Sequence, residues 1–274
     1  MPELPEVETL KRVLDQQIKG LSIKNVIIHN PQVIEYPKSE VFSGRLAGKE
    51  IVDIFRRGKY VILNLSDGQK LIWHLRMTGC ILIMPPDEPL EKHTHLIFIL
   101  NSGMEMRFSD IRRFGRFWLI DKVEEDTYSG IQKLGIEPFD PALNTEYLIK
   151  AFGKRKKTIK ECLLEQGSVC GIGNIYSDEI LFAAGIHPER SAVSLTIEEW
   201  DRLAREIPEQ LSYFIEKNIV TPEEYLLLRG KEYRNTPFLR VYGHGGEPCQ
   251  ICGTVLEKKV IGGRSSVFCR NCQK

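Results

Sequence analysis

The sequence lacks long apolar runs and lacks an excess of charge of either sign. No apolar stretch approaches the roughly 18 residues that a membrane helix needs, so we expect no membrane partner. The 38 Lys and Arg residues are balanced by 37 Asp and Glu residues, so the net charge of +1 indicates no particular partner. Repeats and low-complexity tracts are absent. The acidic start has no apolar core, which argues against a signal peptide and predicts a cytoplasmic protein.

Cysteines are few, and their distribution is uneven. Cys80, Cys162 and Cys170 stand among apolar neighbours and are interpreted as buried thiols. The other four form two C-x-x-C pairs in the last 26 residues, separated by the 16 residues 253–268, a spacing typical of zinc sites. These four are Cys249, Cys252, Cys269 and Cys272. Four thiolates close a zinc tetrahedron, so we expect one structural Zn²⁺. Disulfides are the less favoured alternative in a reducing compartment.

The first half of the chain predicts one helix followed by many short strands. Apolar residues recur at helical spacing over 5–19, and Gly20 is a suitable stop. Eight segments rich in β-branched and aromatic residues follow, with hairpin signals at 66–68 and 101–103. They are 23–29, 50–55, 59–65, 70–75, 80–84, 95–100, 104–108 and 116–120. The pattern predicts an antiparallel β-sandwich or barrel with a leading helix over residues 1–125.

The second half has a helical pattern and a different tail. A polar connection at 126–145 precedes helical segments, one of which opens with a capping signature at Thr196 and Glu199. From about residue 238 the tail carries the four cysteines, with a β-hairpin predicted between the pairs. We therefore predict a multi-domain α+β chain with a linker at 126–145, a helical domain at 146–237 and a zinc finger at 238–274.

Basic residues cluster locally despite the neutral total. R56-R57-G-K59, the run 154–160, R112-R113 and the finger hairpin each concentrate positive charge. Such patches supply most of the affinity of nucleic-acid binders, although any single cluster is more simply solvated surface. The glycine turn 170–173 precedes a helix whose N-terminus could bind phosphate. Asn174 could cap that helix, contact phosphate, or both.

The opening, MPELPEVETL, has two interpretations. Proline and glutamate suit the first turn of a helix. Alternatively, removal of Met1 would leave Pro2 with a free α-amine, which is a nucleophile. The pKa of an α-amine is about 8, against about 10.4 for a lysine side chain, so more of it is neutral near pH 7. The opening alone leaves both interpretations open.

Several motifs together resemble a known family. MPELPEVET, RRGKY, HLRMTG, EKHTH, DIRRFG, GIGNIYSDEILFAAGIHP and the CxxC…GGR…CxxC tail occur in this order in the formamidopyrimidine-DNA glycosylase and endonuclease VIII family of base-excision repair enzymes. The resemblance covers almost the whole chain and is greater to the formamidopyrimidine-DNA glycosylase branch. It implies an N-terminal β-sandwich, a helix–two-turn–helix domain and a zinc finger, in a monomer that acts on damaged double-stranded DNA in the nucleoid.

The resemblance also implies catalytic roles. Pro2 corresponds to the family's nucleophile, which attacks the anomeric carbon of the damaged nucleotide and forms an iminium. Glu3 corresponds to the proton donor for sugar-ring opening. Lys59 corresponds to a lysine that assists β-elimination, and Arg264 to an arginine that grips phosphate and assists δ-elimination. Without the resemblance, Lys59 would be interpreted as a solvated lysine at a strand end, and Arg264 as an arginine at a hairpin tip.

DNA-contact residues follow from the same resemblance. Met77, Arg112 and Phe114 would fill the gap that an extruded nucleotide leaves in the duplex, although residues of the Met77 and Phe114 types more often belong to a core. Four further residues match phosphate-contacting positions. They are His93, Arg155, Lys160 and Asn174. The basic run can be aligned with the family in more than one register, so the match of Arg155 is one of several alternatives.

Three departures from the family pattern concern lesion preference. His244 stands where Arg or Lys is frequent, Thr78 replaces a residue that is acidic in some members, and the lesion-covering stretch 217–237 differs in sequence. We expect oxidised purines, namely formamidopyrimidines and 8-oxoguanine, as substrates. The alternatives are other lesions with the same chemistry, or a non-cutting damage-binding protein. A zinc hydrolase is disfavoured because a four-cysteine site has no open position.

Overall fold

The structure is a computed structural model that describes residues 2–122, 126–230 and 236–274. Its backbone contacts divide the chain into two compact units. The described part of the first unit comprises Pro2, 6–122, 126–132 and 219–230. The described part of the second comprises 3–5, 133–218 and 236–274. The predicted boundary at 125 falls on residues 123–125, outside the described residues, and the predicted domain bounds remain predictions.

Two β-sheets and three α-helices make up the described part of the first unit. The four-stranded sheet has the order β1-β7-β8-β6, and the five-stranded sheet has the order β2-β9-β5-β4-β3, in which only β2 and β9 pair in parallel. The strands are β1 Ile23–Ile28, β2 Ile34–Tyr36, β3 Ile51–Arg57, β4 Tyr60–Leu65, β5 Lys70–His74, β6 Gly79–Met84, β7 Thr94–Leu100, β8 Glu105–Asp110 and β9 Arg116–Ile120. The helices are α1 Leu4–Ile18, whose first two residues are grouped with the second unit, α2 Ser39–Leu46 and α7 Pro222–Leu227.

One apolar core joins these elements. Alternating strand residues such as Trp73, Phe98 and Phe117 pack inward with Leu10 and Leu14 of α1. The predicted strands and the predicted leading helix are confirmed. Sequence patterning missed β2, which has three residues, and α2, in which only Phe42 and Leu46 are buried and the apolar pattern is weak.

The second unit is helical, with a hairpin at its end. Its helices are α3 Thr145–Phe152, α4 Ile159–Leu164, α5 Asn174–Ala184 and α6 Ile197–Lys217. Side-chain caps set the starts of three of them: Asn144 caps α3, Thr158 caps α4, and Thr196 with Glu199 forms the predicted capping box of α6. The strands β10 Glu257–Ile261 and β11 Arg264–Phe268 form the predicted hairpin. The α+β fold class with sandwich, helical domain and finger is confirmed.

Candidate active site

The glycine turn before α5 receives the start of the chain. The N–H of Leu4 donates to the carbonyl of Gly171 at 3.2 Å, and Leu4 is buried in the core of the second unit. Gly171 has a φ of +91°, and a Cβ there would lie 2.4 Å from Leu4 Cδ1. Only glycine satisfies both the left-handed backbone and this close approach. Pro2, which precedes this anchored segment, is itself buried.

The carboxylate of Glu3 is held at the N-terminus of α5. It accepts the N–H groups of Ile175 at 3.0 Å and Tyr176 at 3.3 Å, and the residue is 1 % exposed. A Cβ on Gly173 would lie 2.3 to 2.6 Å from the three carboxyl atoms of Glu3. Two backbone donors in the first turn of α5 therefore fix the orientation of Glu3, and Gly173 supplies the space.

Two hypotheses for this turn need correction. The N–H groups of 175 and 176, which could have bound phosphate, instead bond Glu3. Gly173, not Asn174, is the N-cap of α5, and the side-chain amide of Asn174 donates to the carbonyl of Ser265 at 2.9 Å. The capping role of Asn174 was wrong because Glu3, 171 residues earlier in the chain, satisfies the helix donors in its place. Its phosphate contact remains a prediction.

Arg264 stands at the tip of the finger hairpin. It is the first residue of β11 and pairs with Ile261 across a turn made by Gly262 and Gly263, both in the left-handed region. Its side chain is exposed. The hairpin thus presents a cation at its end, one residue before the carbonyl that Asn174 holds.

Lys160 does not fit the phosphate contact that the resemblance implies. Its ammonium is 2.5 Å from Asp178 Oδ1, and both side chains are 0 % exposed. Burial raises the pKa of the Asp178 carboxyl to about 6, and Lys160 opposes that rise. To contact a phosphate, Lys160 would have to leave Asp178 and move its ammonium from the interior to the surface. The physical reason for the correction is that Lys160 lies on the buried face of α4, beyond the exposed basic run.

Arg155 is half-buried beside α3. Its guanidinium pairs with Glu165, donates to the carbonyl of Ala151, and lies 5.6 Å from the ring of Phe152. Its phosphate contact remains a prediction, and it would compete with Glu165.

Lys59 lies in the tight turn between β3 and β4 and is 8 % exposed. The guanidinium of Arg56 supports this turn, since it donates to the carbonyl of Gly58 at 3.1 Å and to Glu8 at 2.9 Å. Burial alone would raise the pKa of the Glu8 carboxyl, but Arg56 and Arg12 outweigh it and lower the pKa. Glu8 of the opening motif therefore stabilises the turn that carries Lys59, through Arg56. This role was not expected from its interpretation as a first-turn helix residue.

His74 is a buried neighbour of this lysine that the sequence did not reveal. Burial, together with the charges of Arg76 and Lys59, lowers its pKa to about 3. Its Nδ1 accepts the N–H of Arg76 at 2.9 Å, which leaves the proton on Nε2. Tyr60 packs edge-on against the ring, and its hydroxyl donates to the carbonyl of Ser129 at 2.9 Å. This corner of the first unit thus holds a neutral imidazole beside a cationic side chain.

The three predicted gap-filling residues lie on two loops of the first unit. Met77 is 37 % exposed and follows β5, while Phe114 is 45 % exposed and follows β8. The Arg112 guanidinium lies 4.6 Å from the ring centroid of Phe114. Exposed Met and Phe side chains argue against the interpretation of these two residues as core.

Asp110 ties the two loops together. Its buried carboxylate accepts the N–H of Gly115 at 2.8 Å, the N–H of Arg112 at 3.1 Å, and the hydroxyl of Thr78. Thr78, which departs from the family pattern, thereby joins the Met77 loop to the Arg112 loop. His93 lies next to this network, because its carbonyl accepts the N–H of Asp110 at 3.0 Å.

The remaining departures fall elsewhere. His244 pairs with Glu247 at 2.8 Å. Within the stretch 217–237, α7 belongs to the first unit, and its buried Tyr225 packs in the core of that unit. Residues 231–235 of that stretch lie outside the described residues.

The four predicted cysteines converge. Their Sγ atoms all lie within 4.8 Å of one another. A zinc tetrahedron with Zn–S bonds of about 2.3 Å has sulfur–sulfur edges of about 3.8 Å. The pairs Cys249–Cys272 at 3.9 Å and Cys252–Cys269 at 3.5 Å fit this geometry. Cys249, Cys252, Cys269 and Cys272 therefore hold one structural zinc ion, which leaves no position for substrate.

The structure gathers these residues into two sets. The first unit contains Pro2, Lys59, Met77, His93, Arg112 and Phe114. The second contains Glu3, Arg155, Lys160, Asn174, Arg264 and the cysteines. Within the second set, Glu3 and Asn174 share the start of α5, and Asn174 contacts the strand that carries Arg264. No helix among the described residues is long and apolar enough to cross a membrane.

Three family models match consecutive parts of this chain. They are the formamidopyrimidine-DNA glycosylase N-terminal domain over residues 1–117, the corresponding H2TH domain over 134–223, and the zinc finger found in FPG and IleRS over 246–274. The formamidopyrimidine-DNA glycosylase of Pelotomaculum thermopropionicum is 43 % identical over 274 residues, which is 100 % of this chain and 99 % of the relative. The chain therefore belongs to the formamidopyrimidine-DNA glycosylase family.

Solved structures agree with that assignment. The Lactococcus lactis Fpg (MutM), in complex with DNA containing an oxidised pyrimidine, has a TM-score of 0.89 and 34 % identity. A MutM in complex with DNA containing carbocyclic 8-oxo-G has a TM-score of 0.90 and 36 % identity. Each similarity covers 100 % of both chains.

Proposed function

We propose that this chain is a bifunctional DNA glycosylase and abasic-site lyase that removes oxidised purines from duplex DNA. The observation that carries the proposal is the full-length similarity to formamidopyrimidine-DNA glycosylases, combined with the presence of Pro2, Glu3, Lys59 and Arg264 in this sequence. The substrate class rests on the related MutM that was solved with 8-oxo-G DNA. The protein acts as a cytoplasmic, nucleoid-associated monomer.

The chemistry follows from the α-amine of Pro2. After removal of Met1, its nitrogen forms a bond to the anomeric carbon, and the base leaves with the electron pair of the glycosidic bond. Glu3 gives a proton to the ring oxygen as the sugar opens, which leaves an iminium. This cation acidifies the neighbouring carbon, so loss of a proton there expels the 3′ phosphate, with assistance from Lys59. A second elimination, assisted by Arg264, expels the 5′ phosphate.

DNA contacts are distributed over both units. Met77, Arg112 and Phe114 fill the gap in the duplex, where Phe114 wedges between base steps and Arg112 bonds the unpaired base. His93, Arg155 and Asn174 contact phosphates. Lys160 is left out of this set because its ammonium is buried with Asp178.

Borohydride trapping tests the proposal. The protein is incubated with duplexes that carry 8-oxoguanine, a formamidopyrimidine, an oxidised pyrimidine or an abasic site, and the imine is reduced to a stable adduct. We expect adducts with both oxidised purines, and loss of base excision with retained DNA binding in Pro2→Gly. Excision at the normal rate by Pro2→Gly would show that the amine is not the nucleophile.

A second candidate is the same chemistry with a preference for oxidised pyrimidines. The L. lactis relative solved with such DNA favours it. An adduct with the pyrimidine duplex but not with the purine duplexes would select this candidate. Tight binding without any adduct would instead indicate a damage-binding protein.

A further inference from the structure

A buried ion pair lies beside the hairpin that carries Arg264. Lys160 of α4 and Asp178 of α5 face each other with 2.5 Å between Nζ and Oδ1, and neither side chain is exposed. None of the chemical steps above uses either group. Two buried charges are costly to desolvate, and an apolar pair of similar volume often serves stability as well. The position of the pair therefore calls for a reason other than stability.

Both members of the pair hold the backbone of β11. Asp178 Oδ2 accepts the N–H of Val267 at 3.0 Å, and Lys160 Nζ donates to the carbonyl of Ser265 at 3.3 Å. Ser265 directly follows Arg264 in the chain. An apolar pair would fill the same space but could make neither hydrogen bond, so the polar pair fixes the position of the strand along its length.

The turn of the hairpin is held from the same side. A Cβ on Gly262 would lie 2.5 Å from Glu161 Cγ, so the turn packs directly on the first turn of α4. Glu161 is itself fixed there by the capping box with Thr158. Arg264 therefore lies between two anchored points, the Gly262 contact on one side and the Ser265 carbonyl on the other.

The other end of this network is Glu3. Asp178 lies about one turn after the N–H groups of Ile175 and Tyr176, which hold the Glu3 carboxylate on the same helix. One rigid helix thus carries Glu3 at its start and, through Asp178 and Lys160, the strand of Arg264 one turn later.

We propose that Lys160 and Asp178 are positioning residues that fix Arg264 relative to Glu3. This inference rests on the proposed function, in which Arg264 assists the second elimination. Loss of the pair releases the Val267 N–H and removes one of two donors to the Ser265 carbonyl, since the Asn174 amide is the other. The Arg264 guanidinium then loses its position, while the Pro2 amine is unaffected.

The test compares the two eliminations on an abasic-site duplex. The variants are Lys160→Met, Asp178→Leu and the double variant, with Arg264→Ala as the reference for a lost guanidinium. The matched control is Lys19→Met, which breaks the exposed Lys19–Asp53 pair in the first unit. We expect normal borohydride trapping in the pair variants and in Lys19→Met. The ratio of δ- to β-elimination product should fall about tenfold or more in the pair variants and in Arg264→Ala, and stay unchanged in Lys19→Met.

Zinc content and thermal melting show whether each variant is folded. A single variant leaves one buried charge unpaired, so the double variant, which retains no charge at the site, is decisive. A folded, zinc-loaded double variant with the wild-type product ratio would refute the inference. A double variant that fails to load zinc would show that the pair serves folding, which also rejects the positioning role. Failure of the wild type to form any adduct would instead reject the proposed function.

Discussion

Replacement of Gly173 by alanine should displace the carboxylate of Glu3, the proposed proton donor, while leaving that residue unmutated. The backbone of Gly173 has φ −129° and ψ −158°, an extended conformation that alanine adopts without strain. The new Cβ would lie 2.3 Å from Glu3 Cδ, 2.4 Å from Oε1 and 2.6 Å from Oε2. These atoms form the end of a flexible side chain, so Glu3 moves and the turn remains.

The expected magnitude follows from the bonds that Glu3 loses. Displacement breaks the hydrogen bonds from Ile175 at 3.0 Å and Tyr176 at 3.3 Å. Hydrogen bonds to charged groups contribute about 1.5 to 3 kcal/mol each, but water can replace part of them at a helix N-terminus, so we expect a loss of about 2 kcal/mol in unfolding free energy. Misplacement of a catalytic group by about 1 Å costs on the order of 100-fold in rate, so excision should suffer more than stability.

Single-turnover excision of 8-oxoguanine measures this effect. Gly167→Ala is the control, because a Cβ there meets only the carbonyl of Lys133 at 3.4 Å, an ordinary contact. We expect Gly173→Ala to approach the rate of Glu3→Gln, and the double variant Glu3→Gln/Gly173→Ala to lose little more, because both changes disable one group. Wild-type rate and melting temperature in Gly173→Ala would refute the reasoning. Full additivity in the double variant would show that Gly173 acts through something other than Glu3.

Three further predictions concern other parts of the chain. Cys249→Ser should lose zinc and DNA binding as the finger unfolds, and full binding by a zinc-free variant, with zinc measured by mass spectrometry, would contradict the structural role. His74 has a folded pKa of about 3, below its unfolded value near 6.5, so the unfolded state binds the proton first. The free energy of unfolding should therefore fall by about 1.4 kcal/mol per pH unit as the pH drops from 6.5 towards 3, and His74→Gln should lack this contribution. An NMR titration that shows the folded-state imidazole protonating near pH 6.5 would refute the prediction. Glu179→Ala should cost about 3 kcal/mol in chemical denaturation, because it leaves the buried N–H of Val241 and the part-buried N–H groups of Arg240 and Tyr242 without their acceptor. A change within experimental error would show that other groups satisfy them.

The sequence predicted those features that local patterns encode. The predicted strands appeared because β-branched and aromatic runs between turn residues leave few alternatives. The four cysteines converged because their spacing suits a zinc hairpin. In contrast, β2 is too short for its periodicity to be recognised, and α2 has only two buried apolar residues to mark its inner face.

Long-range partners were beyond sequence patterning. The sequence around Glu3 does not indicate that its carboxylate will accept the N–H groups of Ile175 and Tyr176, because that contact depends on the fold of the whole second unit. Lys160 was misassigned for a different reason. It was grouped with the exposed run 154–157, although the T-x-x-E signature at Thr158 and Glu161 marks a helix start between the two. That signature, with Ile159 and Leu163 beside Lys160, was enough to predict a buried face.

The occupied start of α5 constrains how this protein meets DNA. A helix N-terminus is a ready phosphate site, but here the chain's own carboxylate takes two of its donors. A phosphate at this place would face the negative charge of Glu3. A phosphate contact at this place must therefore come from a side chain, and Asn174, whose amide bonds the carbonyl of Ser265 next to Arg264, is a candidate. In the proposed function, the glycine turn positions the proton donor Glu3, and the finger hairpin presents Arg264 to phosphate. It follows that loss of zinc should weaken DNA binding while leaving the bonds between Glu3 and α5 intact.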